Sequence, residues 1–201
     1  EVVPVYQWTE EQEMMRGAVR QFIDKEIRPR IDEFEHGDTP PYDVLRKMYK
    51  DFGIDVVSRD RHQRQIEFER SVEAAIAEGK EPPEKAKRDG DGGTAALTMI
   101  PIIELCKVCP GMVTAMGVSV GLTSAAIMSK GTIDQKERWV GDLLTMDKIG
   151  AWAITEPNSG SDAFGSMKST ARRDGNEYVL NGSKTFITNG PYADTIVFIC
   201  K

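Results

Sequence analysis

Gly150-Ala151-Trp152-Ala153-Ile154-Thr155-Glu156-Pro157-Asn158-Ser159-Gly160-Ser161-Asp162 is where the chain changes its grammar. Its first five residues are small or apolar, as in a buried strand. The next eight carry hydroxyls, carboxylates and a proline, as in a loop. C-terminal to it come three turn signals, Asp174-Gly175, Asn181-Gly182 and Asn189-Gly190. Runs of β-forming residues at 177–180 and 184–188 lie between these turns, and Thr195-Ile196-Val197-Phe198-Ile199-Cys200 follows. Short strands separated by Asx-Gly turns predict an antiparallel meander.

N-terminal to residue 150 the periods are helical. Thr9 with Gln12 fits a capping box, and Met15, Val19, Phe22, Ile23, Ile27, Ile31 and Phe34 then mark one apolar face. Pro29 interrupts this face, so a kink or break is expected near residues 26–28. Thr39-Pro40-Pro41 opens a second helix carrying Leu45, Met48, Tyr49 and Phe52, with Gly53 placed as its C-terminal cap. Further helices are expected over 94–109 and 112–129. Thr132 with Gln135 then caps a helix holding Trp139, Val140, Leu143 and Leu144.

Residues 58–91 form a charged insertion with a sparse apolar stripe, Ile66, Phe68, Val72 and Ile76. They read as a solvated helix over 66–78, then the Glu81-Pro82-Pro83 breaker and a loop over 85–93; the competing reading is a specificity or partner-contact insertion. The uncharged stretch 108–129 is interrupted by Pro110, Gly111, Gly117 and Gly121 and is expected to be a buried helix rather than a membrane span. The fold class is thus α+β. A helical bundle occupies 1–149 and the beginning of a β-domain occupies 150–201.

The chain has 201 residues and a net charge of −6, which disfavours nucleic-acid and anionic-membrane partners. Three cysteines make no disulfide framework, and residues 1–8 lack the pattern of a secretory signal. A reducing compartment is expected: the cytoplasm, or the mitochondrial matrix if a transit peptide has been removed. The apolar strand at 195–200 needs a cover, so the natural chain is expected to continue beyond Lys201.

The 155–162 loop suits an oxygen-rich ligand, through hydroxyls and the close backbone approach Gly160 permits, and suits an ordinary helix-to-sheet connection equally well. Cys106-x-x-Cys109 has redox or metal spacing, but with no second cysteine pair and with His36 and His62 remote it reads as buried helix cysteines; no metal is expected. Asn181-Gly182-Ser183 matches a glycosylation sequon and reads better as a hairpin turn. Asp89-Gly90-Asp91-Gly92-Gly93 lacks the rest of a phosphate loop and reads as a linker.

The stretch from Trp152 to Asp162 resembles the flavin-site signature of the acyl-CoA dehydrogenase family. Asn181-Gly182-Ser183-Lys184-Thr185-Phe186-Ile187-Thr188-Asn189-Gly190 resembles that family's second signature, at a similar separation. Gly131-Thr132 and Gln135-Lys136-Glu137-Arg138-Trp139 are similar to the helix that leads into the first. The likeness covers about 9–57 and 94–201, and the segment 58–91 is longer and more charged than the usual connection.

The resemblance implies FAD. Trp152 would lie along the flavin, Ile154 would offer backbone groups to its pyrimidine edge, and Thr155 would bond it through its hydroxyl. Gly160 and Ser161 would meet cofactor phosphate or the acyl-CoA substrate, with Ser161 as the substrate contact. Phe186 stands where the family usually has a tryptophan, followed by Ile187, and Thr188 would reach toward N(5). The activity implied is desaturation of an acyl-CoA thioester to the 2,3-enoyl form, a step of fatty acid metabolism. A carboxylate base is expected from a C-terminal helical half after residue 201, so no catalytic residue is assigned in this chain. Glu156 reads as structural. An electron-transfer flavoprotein would accept the electrons, and a homodimer or homotetramer is implied, with a hetero-oligomer as the variant. Two other readings stand beside this one: a non-catalytic partner subunit of the same fold, and an oxidase or monooxygenase on the same scaffold.

Overall fold

The computed structural model describes residues 7–84 and 92–201, and of 92–98 the backbone alone. The expected loop over 85–93 falls largely outside the described residues. The described residues form two compact units, one built from those up to Met48 with Glu84–Thr114, the other from Tyr49–Pro83 with Ala115–Lys201.

In the first unit, α1 (Glu10–Phe22) opens with the expected box: Gln12 N–H donates to Thr9 Oγ1 at 3.2 Å, and Thr9 N–H donates to Gln12 Oε1 at 3.0 Å. Pro29 has no N–H to continue the ladder. The chain answers with a π turn over Ile23–Ile27 and a 3-10 turn over Arg28–Arg30 before α2 (Ile31–His36). The apolar face of α1 packs on α5 (Gly92–Cys106), and Val19, Phe22, Ile100 and Leu105 are buried. Glu104 is buried among them and is held by Arg20 at 2.9 Å, Lys107 at 2.9 Å and Arg16 at 3.3 Å. The Arg20 hydrogen bonds, helped by Lys107 and Arg16, outweigh burial and hold its carboxyl at about 2. Cys109 is buried with its thiol 3.1 Å from Glu35 Oε1, whereas Cys106 is exposed, so only one of the pair is the buried cysteine expected.

The helix α3 (Tyr42–Asp51) ends at Gly53, whose φ of 65° is the left-handed cap expected there. The following helix departs from expectation. It is α4, Ile54–Ala77, which starts twelve residues before the predicted 66 and is not merely a solvated face. It lies antiparallel on α8 (Ile133–Leu144), because Arg59 pairs with Asp142 and Asp147 while Arg70 pairs with Asp134 and Glu137. Lys136 meets Glu69 at 2.7 Å. Ile66 is its single buried apolar side chain, so this seam is ionic, and an apolar period could not outline it.

Residues Pro110–Lys130 run through α6 (Pro110–Met116), a π segment (Gly117–Thr123) and α7 (Ser124–Lys130). By length and hydropathy this run would pass for a membrane span. From Ala115 onward, its buried face meets strand and helix: Ser119 and Thr123 are fully buried, and Ile127 packs with Val140 and Leu143 of α8.

The strands are β1 (Gly150–Ala153), β2 (Thr170–Asp174), β3 (Glu177–Asn181) and β4 (Thr195–Phe198), with a short helix α9 (Ala163–Ser166) after the loop. β2 and β3 form the antiparallel hairpin expected at Asp174-Gly175, with Gly175 at φ 60°. The meander ends there. β4 pairs in parallel with β1, Gly150 opposite Thr195 and Ala153 opposite Phe198. Residues 184–188 make no strand. Asn181-Gly182 is a close approach rather than a hairpin turn: Gly182 has φ 152°, and a Cβ on it would fall 2.7 Å from Ser169 Cα. Asn189 takes a left-handed conformation, φ 65°, and leads into a 3-10 turn over Gly190–Tyr192.

Candidate functional site

β1 delivers Trp152 half-buried, paired opposite Val197, and ends in the predicted loop. Glu156 and Ser159 exchange backbone hydrogen bonds at 2.9 and 3.1 Å, which closes the Pro157-Asn158 corner. The Glu156 carboxylate is buried and receives the Lys168 N–H at 2.8 Å, the Ser169 N–H at 2.9 Å and the Lys184 ammonium at 3.0 Å. The Ser169 hydroxyl beside it, then these amides and Lys184, hold the carboxyl at about 2. An acid that strong, already bound by three donors, is a poor proton acceptor near neutral pH. Glu156 is therefore the organiser of the loop.

Lys184 is the second organiser. Its ammonium also donates to the Ile154 carbonyl at 2.9 Å and lies 5.3 Å from the centre of the Phe198 ring. One residue on, Thr185 N–H donates to the Thr155 carbonyl at 3.0 Å. Asn189 Nδ2 donates to the Gly150 carbonyl at 2.9 Å. Residues 184–189 are thus stitched along β1 and the two residues after it by two side chains and one amide in place of a regular ladder. The stitches bring together the two segments that the sequence analysis singled out, some thirty residues apart.

Phe186 stands at the centre of the second segment with φ 54° and 91% exposure. A bulky residue in the left-handed region, held out in solvent, is strained and unburied, a combination that clusters at ligand sites. Ile187 and Thr188 are half-buried, as are Ile154 and Thr155. Gly160 and Ser161 are exposed, and a Cβ on Gly160 would meet nothing within 4 Å. Ser159 Oγ is buried without a hydrogen-bond partner among the described residues. Open backbone, an orphaned hydroxyl and an outstretched aromatic ring suit a flat, oxygen-bearing ligand. Cavities of about 220 Å³ on the α4–α8 seam and about 310 Å³ beside Glu104 contain none of these residues.

Lys184 and Asn189 carry no role in the expectations drawn from the sequence. Lys184 stood out only as the single cation within a β-forming run, and nothing local pointed to Glu156, 28 residues away, as its partner. Asn189 looked like an ordinary turn residue.

Residues 9–58 and 60–147 match the family described as acyl-CoA dehydrogenase, N-terminal domain, and residues 151–201 match acyl-CoA dehydrogenase, middle domain. The chain is 32% identical to a short-chain specific acyl-CoA dehydrogenase of Clostridium acetobutylicum over 94% of its own length and 43% of that protein. It is 32% identical to an acryloyl-CoA reductase (NADH) of Anaerotignum propionicum, over 94% and 41%. A glutaryl-CoA dehydrogenase from Mycobacterium smegmatis, solved in complex with FADH2, superimposes with a TM-score of 0.68 at 25% identity, covering 96% of this chain and 43% of that one. The chain therefore spans less than half the length of these proteins.

Proposed function

Because this chain belongs to the acyl-CoA dehydrogenase family, we propose that its protein binds FAD and exchanges two electrons with an acyl-CoA thioester across the α,β carbon–carbon bond. When bound, the flavin supplies the acceptor that takes the β-hydride as an α-proton leaves. The chain's own residues bind and orient. Phe186 and Trp152 offer flat apolar surfaces. Thr155 and Thr188 offer hydroxyls, Ile154 and Ile187 their backbone groups, and Gly160 and Ser161 the open loop for a phosphate or the acyl-CoA. The observation that carries this reading is the stitching of 184–189 along β1 and the two residues after it, which supports the exposed, strained Phe186 beside the Thr155 loop.

The proton acceptor is assigned to no residue described here, and the low carboxyl of Glu156 supports its exclusion. Relatives named for dehydrogenation and for reduction point to one reversible exchange, run in the direction its redox partner sets. An electron-transfer flavoprotein as partner, assembly into a homo-oligomer and residence in the cytoplasm belong to the same proposal.

The test is direct. Purified protein titrated with FAD should quench flavin fluorescence and turn yellow, and an acyl-CoA should bleach it without oxygen. Phe186→Ala and Thr155→Ala should each weaken binding. Failure to take up FAD at saturation overturns the reading and favours a non-catalytic subunit. Rapid reoxidation by air with peroxide release favours an oxidase.

A further inference from the structure

Gly150, the first residue of β1, is a buried junction. Its N–H donates to Ser119 Oγ at 2.9 Å, and its carbonyl accepts from Asn189 Nδ2 at 2.9 Å. The same Nδ2 donates to the Ala115 carbonyl at 2.9 Å. On the remaining side Gly150 lies against Thr123, so close that a Cβ would come within 2.8 Å of the Thr123 Cβ. Ser119 and Thr123 are fully buried and Asn189 is 8% exposed.

The chemistry at each position is specific. A π segment shifts the hydrogen-bond offset from four residues to five, which displaces carbonyls and side chains from their α-helical places. Ala115 lies two residues before that segment, and Ser119 and Thr123 lie within it. A primary carboxamide with two N–H bonds on one nitrogen can satisfy two carbonyls at once, which no carboxylate or hydroxyl does. Asparagine also tolerates the φ of 65° found here.

Asn189 follows Thr188 directly, and Gly150 stands two residues before Trp152 and five before Thr155. One carboxamide thus joins the ends of both candidate flavin-contacting segments to the helix beneath them. We propose that Asn189 is a positioning residue of the flavin site: through Gly150 and Ala115 it sets the register of Phe186–Thr188 against Trp152–Thr155. The inference rests on the flavin reading above and adds a residue that touches no ligand itself.

The test compares Asn189→Gly, which keeps the left-handed backbone and deletes the donors, with Leu143→Val, a core substitution on α8 that lowers the melting temperature without touching the junction. In the whole protein, Asn189→Gly should weaken FAD binding by about tenfold, the equivalent of one lost buried hydrogen bond. It should also shift the visible absorption and circular dichroism of bound flavin, and Leu143→Val should do neither. Wild-type affinity and spectrum in Asn189→Gly would overturn the proposal. If the unaltered protein takes no FAD, the flavin reading fails separately, and amide exchange decides the register. Residues 151–155 and 186–188 should exchange faster in Asn189→Gly than in Leu143→Val, and equal exchange would overturn it. Should Asn189→Gly not fold, Asn189→Ser, a smaller truncation whose hydroxyl can satisfy at most one of the two carbonyls, takes its place in the same comparisons.

Discussion

The α4–α8 seam and the Glu156–Lys184 pair are both held by opposite charges, but water reaches them very differently. Arg59 and Arg70 remain nearly half exposed while they bind α8, so solvent and salt screen their bonds. Glu156 and Lys184 are about 5% exposed, and two backbone amides complete the carboxylate's bonding. Exposed pairs of this kind are individually weak and replaceable. A buried pair is costly to break, because removing one partner strands the other. The contrast predicts that the seam is adjustable and the loop beneath Phe186 is not.

The strongest test breaks the packing that holds the buried pair. Gly182→Ala would drive a Cβ into Ser169, whose amide binds Glu156, at a backbone angle that strains any side chain. A loss on the order of 3 kcal/mol in urea unfolding is expected. Next comes Lys184→Met. Because the Glu156 carboxyl lies at about 2, below its ordinary 4.5, its stabilisation is complete above about pH 4.5 and disappears as pH falls through 2. Loss of the ammonium should move that acid transition up by roughly one pH unit, read by circular dichroism. Arg59→Ala on the seam should cost no more than about 1 kcal/mol. Raising salt from about 0.1 to about 1 M should speed amide exchange in α4 and leave the Glu156 loop unchanged. Equal salt responses would erase the distinction. The smallest effect concerns His62, half-buried on the seam and held below its ordinary 6.5 by desolvation. Its neutral form suits docking, so α4 should loosen slightly as pH falls from 7 to 5, and His62→Phe should remove that dependence.

The same contrast explains what could be read from the amino acids. Local features were legible: both capping boxes, the break at Pro29, the Gly53 cap, the Asp174-Gly175 hairpin and the two stretches that resemble the family's signatures. Each needs only neighbours a few residues apart. The start of α4 was hidden, because a helix docked by arginines and carboxylates shows no apolar period. The parallel pairing of β1 with β4, the Lys184 bridge and the Asn189 junction were hidden for another reason. Each is a single-residue decision settled by a partner some thirty to seventy residues away.

The parallel pairing also bears on synthesis. Gly150 and its partner Thr195 are 45 positions apart, so at roughly 5–20 residues per second β1 leaves the ribosome roughly 2–9 seconds before its strand partner exists. Ser119 and Thr123, by contrast, have already emerged. The nascent strand can dock its first residue on the π segment and wait there, its open edge reserved, until the rest of the sheet arrives.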